Sequence, residues 1–441
     1  MKNQVKIISK IKKFNKKIKI SGDKSISIRC VLLASQAIGT SRIYNLLESS
    51  DVMDALKAIK KLGIKYRKFK NYYEIYGYGI EGFFTKKKIK INAGNSGTLA
   101  RLILGLLVNS KNEITVVGDK SLSKRDFDRV VIPLSKFGAI VKSNKGNLPV
   151  KIIGSEFLRP VNYYEKLGSA QCKSSVMLAA VKTPGITKIK AEKSRNHTEI
   201  LFKQLNIPIN IEEKKNIDFI QVRGQSNFNG FNYDVPGDIS SCSFFLVLTL
   251  LSRGSKLIIE KVNINKTRMG IIKILNKMNA KIIFKNKRVY KGELVSDIYV
   301  ESCKNLKGIN CPSKFNSSAI DEFLIIFLAA TKAKGVSYFY NLDELNKKES
   351  PRLDIAVEFL KNIGVKVLRS KNNIKIFGNP KLELNGKYEI KNFRKDHRVC
   401  MMSCIAALVL GGEWKINDAD STATSFPKFF KLIKFLGAKI Y

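Results

Sequence analysis

Twelve stretches of helical spacing run through this sequence, and they alternate between two kinds. One kind has a polar start and then an almost unbroken apolar run: 24–37, 96–108, 170–181, 240–251, 319–330 and 398–410. The other is amphipathic, carries Lys on one face and ends in Gly or Asn before an alternating strand: 51–63, 126–138, 197–206, 267–279, 351–364 and 426–437. A helix that is apolar all round must be buried, whereas one with a polar face lies near solvent. Equivalent stop residues recur at a steady interval, Gly63 to Gly138 spanning 75 positions and Gly364 to Gly437 spanning 73. Such a period indicates one supersecondary unit used repeatedly. Two short alternating stretches follow the amphipathic helices, as in Ile140-Val141-Lys142 and Val150-Lys151-Ile152-Ile153, so each copy reads β-α-β-α-β-β.

Six copies predict an α/β fold in which three buried helices share a core under three sheets, twice over. The turn signal Val235-Pro236-Gly237-Asp238 separates the third copy from the fourth. Because the last copy stops at Tyr441 after a single strand, the strands before Gly22 are expected to complete its sheet. The expected domains are therefore 1–20 plus 238–441, a discontinuous domain of three repeats, and 21–237, an inserted one. Parallel buried helices would aim their N-termini, with free N–H groups and positive dipole ends, at a shared cleft between the two.

The charge balance narrows the partners. Lys and Arg total 80 against 36 Asp and Glu, a formal charge of +44, which alone would fit a nucleic acid or an anionic membrane. The Lys residues are instead scattered among Ile and Asn without a basic arm or an interleaved aromatic motif, so neither partner is expected. Such a field still draws in small anions. The apolar run 244–251 falls well short of the roughly 20 residues needed to cross a bilayer, and no secretory leader is read at the start. Seven Cys, an odd number with no CxxC pair and no His at metal-ligand spacing, argue against disulfides and zinc and for a reducing, cytoplasmic setting.

The polar starts carry the chemistry. Gly22-Asp23-Lys24-Ser25-Ile26-Ser27-Ile28-Arg29 opens the first apolar helix, with Gly22 or Asp23 as its cap and Gly39 as its stop. Lys24 and Arg29 add full charges there and Ser25 adds a hydroxyl. Ala93-Gly94-Asn95-Ser96-Gly97-Thr98, followed by Arg101, is a Gly-rich turn that lets backbone N–H groups approach a ligand. Gly118-Asp119-Lys120-Ser121 precedes Arg125, a residue type that pairs bidentately with carboxylate or phosphate. Ser169 and Gln171 open the third apolar helix. In the amphipathic series, His197 reads as a structural hydrogen-bonding residue. Asp321 and Glu322 stand directly before an apolar run, where helix-dipole stabilisation and a role as general base both account for them. Lys348, Glu349, Arg352 and Arg398 sit at two further helix starts.

In this order, the runs GDKSISIR, GNSGT, GDKSL, SAQCKS, SRNHTE, PGDISS, NKTR, IDE, KES, DHR and TSFP resemble the 5-enolpyruvylshikimate-3-phosphate synthases, over essentially the whole chain. Within that family the motifs look like the group often called class II. The resemblance implies an inside-out α/β barrel pair. It implies transfer of the enolpyruvyl group of phosphoenolpyruvate to the 5-hydroxyl of 3-phosphoshikimate, with release of phosphate, by a monomer needing no metal or organic cofactor. By motif match, Lys24, Ser25, Arg29, Ser169, Gln171, Asp321 and Lys348 bind 3-phosphoshikimate, while Lys24, Gly97, Arg125, Gln171, Arg352 and Arg398 bind phosphoenolpyruvate. The resemblance makes Asp321 the base and gives proton delivery to Glu349 with Lys24. Departures exist: Pro351 stands where Asp is usual, Asn346 where Arg is common, Asp126-Phe127 where Pro-Met is common, and Thr424 where some members have Lys. The sister enzymes that act on a UDP-amino sugar carry a Cys in the loop that here reads Leu122-Ser123-Lys124-Arg125, without one. A basic RNA-binding protein on the same scaffold is the reading from another class, and salt-resistant binding of random RNA would distinguish it.

Overall fold

The computed structural model describes residues 3–85 and 88–441. The chain divides into two compact units. The central unit holds Gly22–Val235 with Tyr290–Glu293, and the terminal unit holds the described residues up to Ser21, Pro236–Val289 and Leu294–Tyr441. Each encloses its own apolar core.

In the central unit the two helix types alternate: α1 (Lys24–Ala34), α2 (Ser50–Lys61), α3 (Gly97–Leu106), α4 (Asp128–Ser135), α5 (Ala170–Lys182) and α6 (His197–Gln204). α1, α3 and α5 are buried almost throughout, whereas α2 buries Val52, Ala55, Leu56 and Ile59 and turns Lys57, Lys60 and Lys61 outward. Close approach of α3 to α5 depends on Gly105, where a Cβ would lie 2.1 Å from the Ser175 carbonyl oxygen. The sheets repeat one pattern. Ile89–Asn92 runs parallel to Ile114–Val117 across the α3 crossover; Asn147–Ile153 and then Ile140–Asn144 add antiparallel. Asn162–Glu165, Ile186–Glu192, Ile217–Arg223 and Ile209–Glu213 follow the same order. The first copy borrows its leading strand from the far end of the unit, Asn232–Asp234 lying parallel to Ile38–Tyr44.

The terminal unit contains α7 (Ile239–Leu251), α8 (Gly270–Lys277), the single turn α9 (Asn316–Ala319), α10 (Phe323–Thr331), α11 (Arg352–Asn362), α12 (His397–Leu410) and α13 (Phe429–Phe435). Buried α7, α10 and α12 pack on one another. Three sheets are formed by Asn15–Lys19 with Lys256–Asn263, Glu293–Glu301 and Ile282–Tyr290; by Gly335–Phe339, Asn373–Gly378 and Val367–Ser370; and by Gln4–Ile7, Glu413–Asn417 and Lys387–Ile390.

Three expectations are corrected here. Only Gln4–Ile7 joins the last sheet, where Lys6 and Tyr441 also exchange backbone hydrogen bonds of 2.9 and 3.0 Å. Asn15–Lys19 goes instead to the fourth copy, which needs a strand parallel to Lys256–Asn263. The stretch 319–330 is not one helix, because the chain turns at Ile320, Asp321 and Glu322 between α9 and α10. Carboxylates are costly inside an apolar helix, and here Asp321 meets Arg352 while Glu322 accepts a hydrogen bond from Ser240. Finally, α1 stops at Ala34, with the Ser35 hydroxyl donating to the Leu32 carbonyl at 2.6 Å, and Gly39 lies within the following strand.

Candidate active site

The central unit gathers its polar helix starts. Asp23 caps α1 by accepting from the Ile26 N–H at 2.9 Å, Ser96 caps α3 through Leu99 N–H, and Ser169 caps α5 through Cys172 N–H at 3.3 Å. Gln171, one residue into α5, bridges to α3: its Nε2 donates to Thr98 Oγ1 at 3.0 Å and its Oε1 accepts from Arg101 Nη1 at 2.7 Å. Arg29 on α1 is buried and donates to Thr198 Oγ1 at 2.7 Å, Ser174 Oγ at 2.9 Å and the Ser25 carbonyl at 3.0 Å, which ties α1, α5 and α6 together. Lys24 pairs with Asp51, the acid in the first turn of α2, at 2.9 Å. Arg125 Nη2 donates to Asn95 Oδ1 at 2.9 Å in the Gly-rich turn. At Gly97 an added Cβ would stand 3.1 Å from both the Arg101 and Arg125 guanidinium groups, so glycine leaves that cationic corner open. Arg101 lies over the Phe127 ring, and burial pushes its pKa down to about 10.

In the terminal unit the chemistry centres on Arg352, the first residue of α11. Its Nε and Nη2 fork onto the Asp396 carboxylate at 2.9 and 3.3 Å, Nη2 also reaches Glu349 at 2.6 Å, and Nη1 lies 3.5 Å from Asp321. Burial opposes the charge on Arg352, but Asp396, Glu349 and Asp321 together outweigh it and hold the guanidinium above its usual range. For Asp396, burial alone would raise the pKa; Arg352 reverses this and keeps the carboxyl below the usual range. Asp396 also accepts from Ser350 Oγ at 2.8 Å and caps α12 through the Arg398 N–H at 3.0 Å. Arg398 itself is only 7% exposed, and its guanidinium has no hydrogen-bond or ion-pair partner among the described residues. Lys348 follows the 3-10 turn Asp343–Lys347 and is half-buried.

The sequence matches the family described as EPSP synthase (3-phosphoshikimate 1-carboxyvinyltransferase) over residues 8–433. The chain belongs to the EPSP synthase family. The 3-phosphoshikimate 1-carboxyvinyltransferase of Ruthia magnifica is 38% identical over 428 residues, covering 96% of this chain and 95% of that protein. Its counterpart from Zymomonas mobilis is 37% identical over 428 residues, or 96% of this chain and 94% of that one. A solved EPSP synthase from Acinetobacter baumannii matches with a TM-score of 0.87 and 33% identity over 99% of each chain. The enolpyruvyl transferase NikO from Streptomyces tendae, 14% identical with a TM-score of 0.76, shares the fold over 99% of this chain and 98% of that one.

For a member of the EPSP synthase family, the expected site residues fall into two groups. Lys24, Ser25, Arg29, Gly97, Arg125, Ser169 and Gln171 sit at helix starts or adjoining turns of the central unit, and Asp321, Lys348, Glu349, Arg352 and Arg398 at those of the terminal unit. The sequence reading places Arg101 and Asp396 at helix starts without giving either a role in the site, and leaves out Asp51. All three had local signals: Asp51 and Asp396 are acids at helix starts, and Arg101 follows the Gly-rich turn by one helical turn. His197 is structural, as expected; its Nδ1 lies 2.6 Å from Glu293 Oε1 with both side chains fully buried.

Proposed function

We propose that the chain transfers the enolpyruvyl group of phosphoenolpyruvate to the 5-hydroxyl of 3-phosphoshikimate and releases phosphate. Family membership supports the reaction, and the observation that carries it structurally is Arg398. Its guanidinium has no acceptor among the described residues and is available to an anion, and phosphoenolpyruvate brings both a phosphate and a carboxylate. Arg125, Arg352 and Gly97 complete the phosphoenolpyruvate set, with Lys24 and Gln171 shared between substrates. Ser25, Arg29, Ser169 and Lys348 take 3-phosphoshikimate.

In the proposed chemistry Asp321 accepts the proton of the 5-hydroxyl as its oxygen bonds to the enol carbon. Glu349 with Lys24 delivers a proton to the methylene carbon, forming a methyl group on a tetrahedral adduct. The same pair takes a proton back from that methyl as the carbon–oxygen bond to phosphate breaks. Cations and helix N-termini stabilise the anionic adduct. The architecture is proposed to be an inside-out barrel pair, three sheets around three apolar helices in each unit, with the inserted domain spanning 21–237. A coupled assay for phosphate release from phosphoenolpyruvate tests the function: release that requires 3-phosphoshikimate is expected, and none with both substrates at millimolar concentration would overturn it.

A further inference from the structure

The residue at the cap position of α11 is Pro351, which has no side-chain acceptor and makes no capping hydrogen bond. The first N–H groups of that helix are nevertheless satisfied from five residues further back. Asn346 Oδ1 accepts from Leu353 N–H at 2.9 Å and from Asp354 N–H at 3.4 Å, while Asn346 Nδ2 donates to Asp354 Oδ1 at 2.9 Å. This is a reciprocal cap in the sense of the capping box, built by a distant residue. It closes a short loop, 347–351, that contains Lys348 and Glu349 and ends against Arg352. Glu349 and Arg352 meet within that closed segment at 2.6 Å.

We propose that Asn346 is a positioning residue: by capping α11 remotely it fixes the Lys348–Glu349 loop against Arg352, and so sets the geometry in which those groups meet the substrates. The inference rests on the functional reading above for its catalytic consequence, though not for the cap itself. An Ala at 346 leaves the Leu353 and Asp354 N–H groups to water and releases one end of the loop. Small displacements of reacting groups are costly in rate, so the effect falls on turnover as well as on stability.

The test compares the full-length wild type with Asn346→Ala, Pro351→Asp and the double variant. Amide hydrogen exchange at Leu353 and Asp354 reports the cap directly, and steady-state phosphate release reports its use. In Asn346→Ala, faster exchange at both amides and a fall in kcat on the order of 10-fold are expected at a temperature where a melt shows the chain folded. An Asp at 351 supplies a local cap, so the double variant should recover slow exchange and most of the lost turnover. Unchanged exchange in Asn346→Ala overturns the cap. Faster exchange with wild-type kcat, or a loss of turnover that Pro351→Asp does not restore, overturns the positioning role. If the wild type shows no phosphate release at all, the functional reading fails while the exchange data still decide the cap.

Discussion

Replacing Asp396 with Asn removes one negative charge from the carboxylate that holds Arg352 at the start of α11. The carboxylate is fully buried and accepts four hydrogen bonds, two from Arg352 and one each from Ser350 and the Arg398 N–H. The amide oxygen of Asn can keep the cap on α12 but cannot accept both arms of the guanidinium. Breaking a buried pair from one side costs about 3–5 kcal/mol; Glu349 and Asp321 remain beside Arg352, so the lower end applies. For a unit of this size each kcal/mol moves the melting midpoint by about 2–4 °C, which puts the expected drop in the terminal-unit transition near 6–12 °C at pH 7. The pH dependence has a definite sign. Arg352 outweighs burial and lowers the Asp396 pKa, so ionisation stabilises fully above the usual carboxylate value near 4 and is lost as pH falls through the lower folded value. The gap between wild type and variant should therefore be constant from about pH 5 to 8 and close at more acid pH. Calorimetric melts across that range make the measurement, and equal midpoints at pH 7 would refute the reasoning.

Arg398→Ala and Arg125→Ala should each lower kcat/KM for phosphoenolpyruvate by about 10- to 150-fold, the equivalent of one charge-assisted hydrogen bond of about 1.5–3 kcal/mol. Steady-state kinetics check this, and unchanged specificity constants would withdraw both residues from the anion site. Asp321→Asn should cut turnover at saturating substrates by roughly 10²-fold or more while leaving the melt nearly unchanged. Near-native turnover would instead make Asp321 a turn residue held by Arg352.

How much of this could be read from the residues alone depends on the range over which each constraint acts. Helix type and the caps at Asp23, Ser96 and Ser169 are written within a few positions, and apart from the broken stretch 319–330 the observed helices follow them with shifts of up to three residues at the ends. The sharing of strands between distant copies was harder to read: Asn15–Lys19 and Gln4–Ile7 are both short and Lys-bearing, and which sheet each joins depends on what the other copies lack. The site shows the same limit. Asp396 is legible as an acid before an apolar helix, but its fork onto Arg352 spans 44 positions, and Arg29 reaches Thr198 across 169. The break at Asp321 had one local signal, the adjacent carboxylates Asp321 and Glu322, but a helix through 319–330 with both in its first turn would accommodate them equally well. The placement of Arg352 and Ser240 favours the turn.

The arginines at the helix starts of the two units fall into two electrostatic states, and the difference bears on what each can do. Arg352 faces Asp396, Glu349 and Asp321, three carboxylates around one guanidinium. Its charge is already more than balanced, so its main effect is to hold Glu349 and Asp321 in position. Its Nη1 is buried and makes no hydrogen bond among the described residues, the nearest Asp321 oxygen standing at 3.5 Å. Arg101 is the opposite case: its acceptors are the Gln171 amide and the Asp126 carbonyl, both neutral, and burial pulls its pKa down towards 10. Arg398 has no acceptor among the described residues. An incoming dianion gains most where the fixed charge is least compensated. In the reaction proposed above, Arg398 is thus a terminal-unit cation left to meet an anionic group, while Arg352 holds Glu349 and Asp321 in place.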